Sequence, residues 1–303
     1  MKLIDEHRTT LARGGERDRA RRVGKQFENF KLSPMTATIG AEIDGIRIGA
    51  LDKSTLDELK SAWIDWKVLV FRDQDVSVED HVNFSRQFSG LEEHPFTPHI
   101  PDHPEVIVLE STPGAPEAAE VFHSDLTYLQ CPPMGSILRG RIIPSFGGDT
   151  IWSDMEAAYD GLEESLRQFL DDRRAIHTVT KNVLNLKSKA AKAEELRRKF
   201  PDRSQPIVRV HPVSGRRSLY VNESFTSHIE GMDAMDSQEL LRFLYRQALI
   251  PLYQVRVRWR PNTFVMWDNR STQHYVVPDF FSNHRRMERT TLAGDEPAPS
   301  LPS

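Results

Sequence analysis

The 303-residue chain carries 40 lysine and arginine residues against 44 aspartate and glutamate residues, so its net charge of −4 provides no field that attracts nucleic acid or anionic lipid. No apolar run approaches the roughly 18 residues of a membrane span, and one cysteine, Cys131, excludes an intramolecular disulfide or a cysteine-rich zinc site. We therefore predict a globular protein of the reducing cytoplasm, with Cys131 as a small buried residue.

The first 30 residues differ in composition from the rest of the chain. They are densely charged, include a run of arginines and lack the apolar core of a secretory signal. Residues 1–30 are predicted to form a poorly ordered arm, with contact to an acidic partner as the alternative. Residues 31–298 are predicted to form a single domain.

The first half of this domain begins with alternating apolar and polar residues at 35–48, which predict a strand, a turn and a second strand. A helix is predicted over 54–66, with Ser54 as its N-cap, and a buried strand follows at 67–74. Ser77 and Asp80 have the spacing of a capping box and predict the start of a second helix. Four further strands are then predicted, at 105–110, 120–128, 135–143 and 149–152.

Residues 155–200 are more helical and are predicted to be an insertion between two groups of strands. A hairpin that turns at Ser214 and Gly215 and a helix over 237–249 come next. The last predicted strands are 253–260, 263–269, 273–277 and 286–294. The order lacks regular β-α-β alternation, so we expect a mainly β chain with helical insertions, of the α+β class, built on a jelly-roll-like antiparallel core.

His123 and Asp125 are separated by one residue in the predicted strand 120–128. In a strand these two side chains point to the same face, which directs one nitrogen and one oxygen donor toward one point. A second histidine would complete a two-histidine, one-carboxylate site with open positions on iron, and His274 is the best candidate. By itself the pair is a weak signal, because a surface histidine beside a turn aspartate looks the same.

The open positions of such a site would suit a bidentate 2-oxo acid and dioxygen. The second carboxylate of the 2-oxo acid then needs a cation and a hydroxyl group. Arg285 lies 11 residues after His274, and its guanidinium fork matches a carboxylate. Thr150 follows a glycine turn and could supply the hydroxyl.

Four motifs occur together in this chain: H-x-D at 123–125, G-G-D-T-x-W at 147–152, W-D-N-R-x-T-Q-H at 267–274 and R-x-M-x-R-x-T-x-x-G-D at 285–295. In this order they resemble the taurine dioxygenase (TauD/TfdA) family of Fe(II)- and 2-oxoglutarate-dependent dioxygenases. The likeness extends from about residue 35 to 297. It implies a double-stranded β-helix, the jelly-roll core of cupin-like proteins.

The resemblance also implies a role for individual residues. His123, Asp125 and His274 would bind iron, while Thr150 and Arg285 would hold the distal carboxylate of 2-oxoglutarate. Arg289 and His94 match the residues that bind the acid group of the substrate. Tyr128 and Phe225 could line the substrate pocket, although aromatic residues in strands more often belong to the core.

The implied reaction uses dioxygen to hydroxylate an aliphatic C–H bond while 2-oxoglutarate loses carbon dioxide and becomes succinate. The chain has Thr97, Ala119 and Phe122 where the taurine enzyme has tyrosine, asparagine and tryptophan. We therefore expect a small anion other than taurine: a sulfonate, a sulfate ester or a carboxylate.

Two alternatives remain. One is an oxygenase of the same superfamily that hydroxylates or desaturates a larger biosynthetic intermediate. The other is a non-oxidative barrel protein that binds zinc. The expected partner is a small-molecule substrate, without nucleic acid or membrane, and the family likeness implies a homodimer or homotetramer.

Overall fold

A computed structural model describes residues 22, 25–93, 97–113, 121–181, 190–280 and 283–299. The strands, in chain order, are β1 (Lys31–Pro34), β2 (Ala41–Asp44), β3 (Val68–Phe71), β4 (Leu91–Glu92), β5 (His99–Ile100), β6 (His103–Ser111), β7 (Gly135–Ile142), β8 (Thr150–Asp154), β9 (Arg174–His177), β10 (Arg203–Pro206), β11 (Val208–Val210), β12 (Arg217–Leu219), β13 (Thr226–Ile229), β14 (Gln254–Val257), β15 (Phe264–Asp268), β16 (Thr272–Val276) and β17 (Arg285–Leu292). The helices are α1 (Lys53–Trp66), α2 (Val78–Arg86), α3 (Met155–Asp160), α4 (Glu164–Leu170), α5 (Ala190–Lys199) and α6 (Ala234–Gln247).

Two sheets enclose the centre of the domain. The larger sheet has the order β1-β2-β3-β15-β7-β17-β6-β5, with β4 paired to β17, and only β2 and β3 among these strands are parallel neighbours. The smaller sheet is antiparallel, with the order β14-β8-β16. Leu138 and Met287 of the larger sheet share one buried cluster with Trp152, Val255 and Val257 of the smaller sheet. The chain therefore has the mainly β, jelly-roll core that the sequence analysis predicted.

Helices α1 and α2 cover the other face of the larger sheet. Trp63 of α1 and Phe84 of α2 belong to one buried cluster with Leu69 and Phe264. The capping box of α2, formed by Ser77 and Asp80, is confirmed.

The predicted N-cap of α1, Ser54, is wrong. The side chain of Asp52 accepts a hydrogen bond from the backbone N–H of Thr55, so the helix begins one residue before Ser54. Aspartate caps a helix as well as serine does, and the chain uses the earlier of the two.

The strand predicted at the start of 35–48 is also wrong, because the antiparallel partner of β2 is β1, which ends at Pro34. The hydroxyl group of Thr36 donates to the carbonyl of Ile39 and accepts from its N–H, which closes a turn in place of a strand. Before β1, Phe30 is buried against the cluster under α1. The backbone N–H groups of Glu28 and Asn29 donate to the carboxylate of Glu58.

The region between β8 and β14 forms a unit of its own. It contains α3, α4, α5 and α6, and also the three-stranded sheet β10-β9-β13, which the sequence analysis did not predict. The predicted hairpin is confirmed: β11 pairs with β12, and Gly215 adopts φ 69° in the turn. The helix predicted over 237–249 begins earlier, at the N-cap Asp233.

Cys131 is exposed, so the prediction of a buried cysteine is wrong. It lies in the irregular segment before Pro132 and Pro133, where the chain does not enter either sheet. Within the described ranges, no helix is long and apolar enough to cross a membrane.

Candidate active site

His123, Asp125 and His274 lie together, and their ligand atoms are all within 4.8 Å of one another. A pair of backbone hydrogen bonds aligns the two histidines: the N–H of His123 donates to the carbonyl of His274 over 3.1 Å, and the reverse bond measures 2.8 Å. The centroids of the two imidazole rings are 4.2 Å apart. The three residues predicted to bind iron are thus brought to one buried point between a loop and β16.

The predicted strand over 120–128 is wrong, because its described part makes only one bridge to β16, at His123. Asp125 begins a turn in which Leu126 adopts φ 51°. The backbone N–H of Asp125 donates to the side-chain oxygen of Asn269 over 2.7 Å. The Asn269 amide also donates to the carbonyls of Asp125 and Pro133. The position of Asp125 is therefore set by Asn269 as well as by the pairing of His123 with β16.

Burial and charge determine the ionisation of this cluster. Burial lowers the pKa of His274 to about 3, which keeps this imidazole neutral at physiological pH. Burial opposes ionisation of Asp125, but the positive charge of Arg289 and the hydrogen bond with His123 help to outweigh it and hold the pKa of Asp125 below its usual range. Nη1 of Arg289 lies 3.3 Å from Oδ2 of Asp125. The cluster thus contains a carboxylate beside at least one neutral imidazole.

A buried hydrogen-bond network supports the loop that carries Asp125. Nδ1 of His177 lies 2.8 Å from Oγ1 of Thr127, and the Asn222 amide donates to the same hydroxyl oxygen over 3.1 Å. The Gln205 side chain donates to the carbonyls of Thr127 and Leu129. These contacts come from the unit between β8 and β14, and the sequence analysis did not assign them.

A second buried cluster supports the turn after β15. Asp268 accepts hydrogen bonds from Arg270 and pairs with Nε2 of His211 over 2.9 Å. Burial opposes ionisation of Asp268, yet the charge of Arg270 and the hydrogen bonds from Arg270 and His211 hold the pKa of Asp268 below its usual range. His211, which the sequence analysis left unassigned, therefore has a structural role in holding the turn that carries Asn269.

Arg285 lies in a buried recess on the same strand as Arg289. Its side chain is 6% exposed, and its Nε and Nη2 have no hydrogen-bond partner among the described residues. Burial lowers the pKa of Arg285 to about 10, which leaves the guanidinium charged at neutral pH. Gly148 forms part of the recess: a Cβ atom there would lie 3.1 Å from Cδ and Nε of Arg285.

Thr150 follows two residues after Gly148, at the start of β8. It is buried, and Nε1 of Trp259 donates to its Oγ1 over 2.9 Å. Because the indole occupies a lone pair of this oxygen, the hydroxyl hydrogen of Thr150 is available as a donor.

A cavity of about 390 Å³ adjoins the loop that carries Asp125. Tyr128 lines it, and its ring lies 5.2 Å from the ring of Phe225, which in turn contacts His123 at 6.4 Å between centroids. The remaining lining residues are Glu92, Glu93, Leu126, Leu129, Lys199, Phe200 and Thr291. Both predicted pocket aromatics therefore lie near the histidine and aspartate cluster.

The other positions named for the substrate pocket differ in outcome. His94 and Ala119 lie outside the described residues. Phe122 does not line the cavity beside the cluster: it stacks on Tyr275 with ring centroids 5.4 Å apart and lines a separate cavity of about 590 Å³. Its side chain points away from that of His123, since neighbouring residues in extended backbone face opposite sides.

Comparison with known proteins places this geometry in a family. Residues 31–291 match the model of the taurine catabolism dioxygenase TauD, TfdA family. The chain is 36% identical to an alkylsulfatase of Acinetobacter baylyi, over 88% of this chain and 86% of that protein. It is 34% identical to an alpha-ketoglutarate-dependent sulfate ester dioxygenase of Pseudomonas putida, over 88% of this chain and 90% of the other.

A solved structure shares the same fold. It is a putative alpha-ketoglutarate-dependent taurine dioxygenase from Burkholderia xenovorans, which matches with a TM-score of 0.78 and 36% identity over 89% of this chain and 94% of its own. The chain therefore belongs to the TauD/TfdA family and is an oxidoreductase of the 2-oxoglutarate-dependent dioxygenase type.

Proposed function

We propose that this chain uses Fe(II), 2-oxoglutarate and dioxygen to hydroxylate an aliphatic C–H bond of a small organic anion. The observation that carries the proposal is the buried cluster of two histidines and one aspartate beside Arg289, with a second, buried arginine, Arg285, on the same strand. The substrate is proposed to be a sulfonate, a sulfate ester or a carboxylate, since each offers the acid group that an arginine binds.

The donor set fits a divalent iron ion. Two imidazoles and one carboxylate form the facial arrangement that leaves positions open for other ligands. Nδ1 of His123 lies 3.0 Å from the carbonyl of Val121, which can only accept, so Nδ1 carries the hydrogen and Nε2 keeps its lone pair for a metal. When bound there, iron would supply the activation of dioxygen that this class of oxidation requires.

Arg285 and Thr150 are proposed to hold the distal carboxylate of 2-oxoglutarate. A buried guanidinium with two unpaired nitrogens loses hydrogen bonds to water without replacing them, so the recess favours an anion that accepts hydrogen bonds from both nitrogens. The Thr150 hydroxyl would donate a further bond. Together they orient the cosubstrate toward the histidine and aspartate cluster.

Arg289 is proposed to bind the acid group of the substrate. One of its nitrogens contacts Asp125, while its Nε has no partner among the described residues and remains available to a ligand. The aromatic rings of Tyr128 and Phe225 would then hold the carbon chain and exclude water from the reacting bond. His94 remains a predicted second contact to the acid group.

The test is turnover of a panel of alkyl sulfates, alkanesulfonates and carboxylates, scored as succinate formed only when the substrate is present. Arg289→Ala should lower kcat/KM for the best substrate about 10- to 100-fold, which corresponds to one lost charged hydrogen bond of about 1.5–3 kcal/mol. The matched control is Arg286→Ala on the same strand, because Arg286 pairs with Glu110 and Glu288 on the opposite face. Equal turnover by wild type and Arg289→Ala would contradict the role of Arg289.

A further inference from the structure

Glu92 and Arg289 lie on the same face of the larger sheet, on neighbouring strands. In the pairing of β4 with β17, Glu92 lies directly opposite Thr291, and residues opposite each other in a sheet share a face. Arg289 lies two residues before Thr291 and so points to that face as well. Both Glu92 and Thr291 line the cavity of about 390 Å³. The sheet thus carries a cation and a carboxylate on the same side, with Thr291 between them.

The carboxylate of Glu92 has few hydrogen-bond donors and cations near it among the described residues. Its hydrogen-bond donor in the described part of the chain is the backbone N–H of Gly294, and no described cation forms an ion pair with it. Burial, helped by the negative charge of Asp125, raises the pKa of Glu92 to about 7. A carboxyl group with several unused lone pairs therefore faces the cavity.

The Gly294 donor is held in place by close packing. A Cβ atom at Gly294 would lie 1.9 Å from the carbonyl oxygen of Pro132 and 2.6 Å from the backbone nitrogen of Met134. The backbone at Gly294 therefore lies tightly against this neighbouring segment. With Glu92 on a strand and its donor fixed, the carboxyl group has a defined position at the cavity wall.

The rest of the cavity wall is mostly apolar. Leu126, Leu129, Tyr128 and Phe200 line it, while the side chains of Glu93 and Lys199 are exposed. Apolar walls with a few placed polar groups are typical of small-molecule sites, in which the polar groups decide orientation. A ligand here would bury its carbon chain against these walls and present a donor to Glu92.

We infer that Glu92 determines specificity by accepting a hydrogen bond from a hydroxyl or ammonium group at the far end of an organic anion whose acid group binds Arg289. This inference rests on the proposed function, because it assumes that Arg289 binds the acid group. The substrate class is then an anion with a terminal hydrogen-bond donor, rather than a simple alkyl sulfate or alkanesulfonate.

The strand geometry limits the length of such a substrate. Two residues along a strand advance about 7 Å, so the two binding groups are separated by several bonds of a carbon chain. A spacer of about four to six carbons between the acid group and the donor suits this separation. Compounds with a spacer of about two carbons should be poorer substrates.

The test uses sets of alkanesulfonates with equal spacers that end in a methyl, hydroxyl or ammonium group. For each compound, succinate formation gives kcat/KM, and calorimetry of the protein without 2-oxoglutarate gives the dissociation constant. Wild type should prefer the hydroxyl- or ammonium-ended compound about tenfold or more over the methyl-ended one. Glu92→Leu should abolish or reverse this preference.

Two further variants distinguish an effect on ligand recognition from an effect on folding. Glu92→Gln keeps an acceptor for the Gly294 N–H and for a hydroxyl-ended substrate, and should lose preference only for the ammonium-ended compound. Glu110→Leu removes an exposed glutamate that pairs with His284 and Arg286 and does not line this cavity, and it should leave all ratios unchanged.

The outcomes distinguish this inference from the proposed function. If wild type and Glu92→Leu showed the same ratios in turnover and in binding, the role of Glu92 would be wrong, although succinate formation would still support the dioxygenase. If no anion gave succinate, the proposed function would fail. The dissociation constants would then still decide whether Glu92 selects a donor-bearing anion.

Discussion

Arg285 and Arg289, both on β17, have different neighbouring residues. Arg289 lies against Asp125, whereas Arg285, four residues earlier, lies 5.3 Å from the centroid of the Phe280 ring and keeps two unpaired nitrogens. Residues four apart on a strand share a face, so β17 carries two separate cations on one side. This arrangement explains how one strand could bind the cosubstrate and the substrate at the same time.

The recess around Arg285 depends on a glycine. Gly148→Ala would place a Cβ atom 3.1 Å from Cδ and Nε of Arg285, in a backbone conformation of φ 72°. We expect KM for 2-oxoglutarate to rise about tenfold or more as the guanidinium is displaced. Titration of 2-oxoglutarate in the succinate assay measures this effect.

The control for that variant is Gly231→Ala. Gly231 has φ 68°, but nothing lies within 4 Å of a Cβ atom there. Both variants should lose about 1 kcal/mol of stability from the left-handed backbone. If KM rose equally in the two variants, the effect would come from stability and not from the recess.

At the scale of elements, the loop around Asp125 shows what the sequence could and could not predict. His123, Asp125 and His274 could be predicted because four motifs occur in a fixed order. The conformation of the loop could not, since its β-branched and aromatic residues are typical of a strand. The turn that forms instead is held by Asn269, which lies 144 residues further along the chain.

The hydrogen-bond network that supports this loop could not be predicted from the sequence for a related reason. Thr127 is held by His177 of β9 and by Asn222, which precedes β13. Strands β9 and β13 are only four residues long, and no apolar alternation marks them clearly. Polar residues that support a site from a distant short strand leave no local pattern in the sequence.

Removal of the Thr127 hydroxyl tests whether this network positions Asp125. Thr127→Val leaves His177 and Asn222 without their buried partner, which should lower the free energy of unfolding by about 1–3 kcal/mol. Affinity for Fe(II) should fall about 10- to 100-fold, the effect expected when the support of a ligand is lost. Calorimetric titration of Fe(II) under anaerobic conditions measures the affinity.

Thr226→Val provides the matched control. Thr226 contacts the other ring nitrogen of His177, at 3.1 Å, but does not lie on the loop that carries Asp125. A comparable loss of stability with unchanged affinity for Fe(II) is expected. If both variants lost affinity equally, the network would act through general stability.

At the scale of the whole molecule, the candidate site draws on both sheets. Thr150 and His274 belong to the smaller sheet, Arg285 and Arg289 to the larger one, and Asp125 to the loop between β6 and β7. The relative position of the sheets therefore sets the geometry of the site.

Buried ion pairs connect the two sheets near the site. Nζ of Lys67, just before β3, lies 2.9 Å from the carboxylate of Asp154 at the end of β8 and 3.0 Å from that of Glu156. The backbone carbonyl of Lys67 also accepts the N–H of Asp268 over 2.8 Å. These contacts join β3, β8 and β15, and so position the turn that carries Asn269.

The central claim is that residues from both sheets jointly bind iron and 2-oxoglutarate, and anaerobic titration of the protein with both tests it most directly. We predict that wild type develops a metal-to-ligand charge-transfer band that saturates at one 2-oxoglutarate per chain. Arg285→Ala should require a higher concentration of 2-oxoglutarate, by about tenfold or more, for the same band. Asp125→Ala should form no band at the same Fe(II) concentration. Absence of the band in wild type, or an unchanged band in Asp125→Ala, would contradict the account.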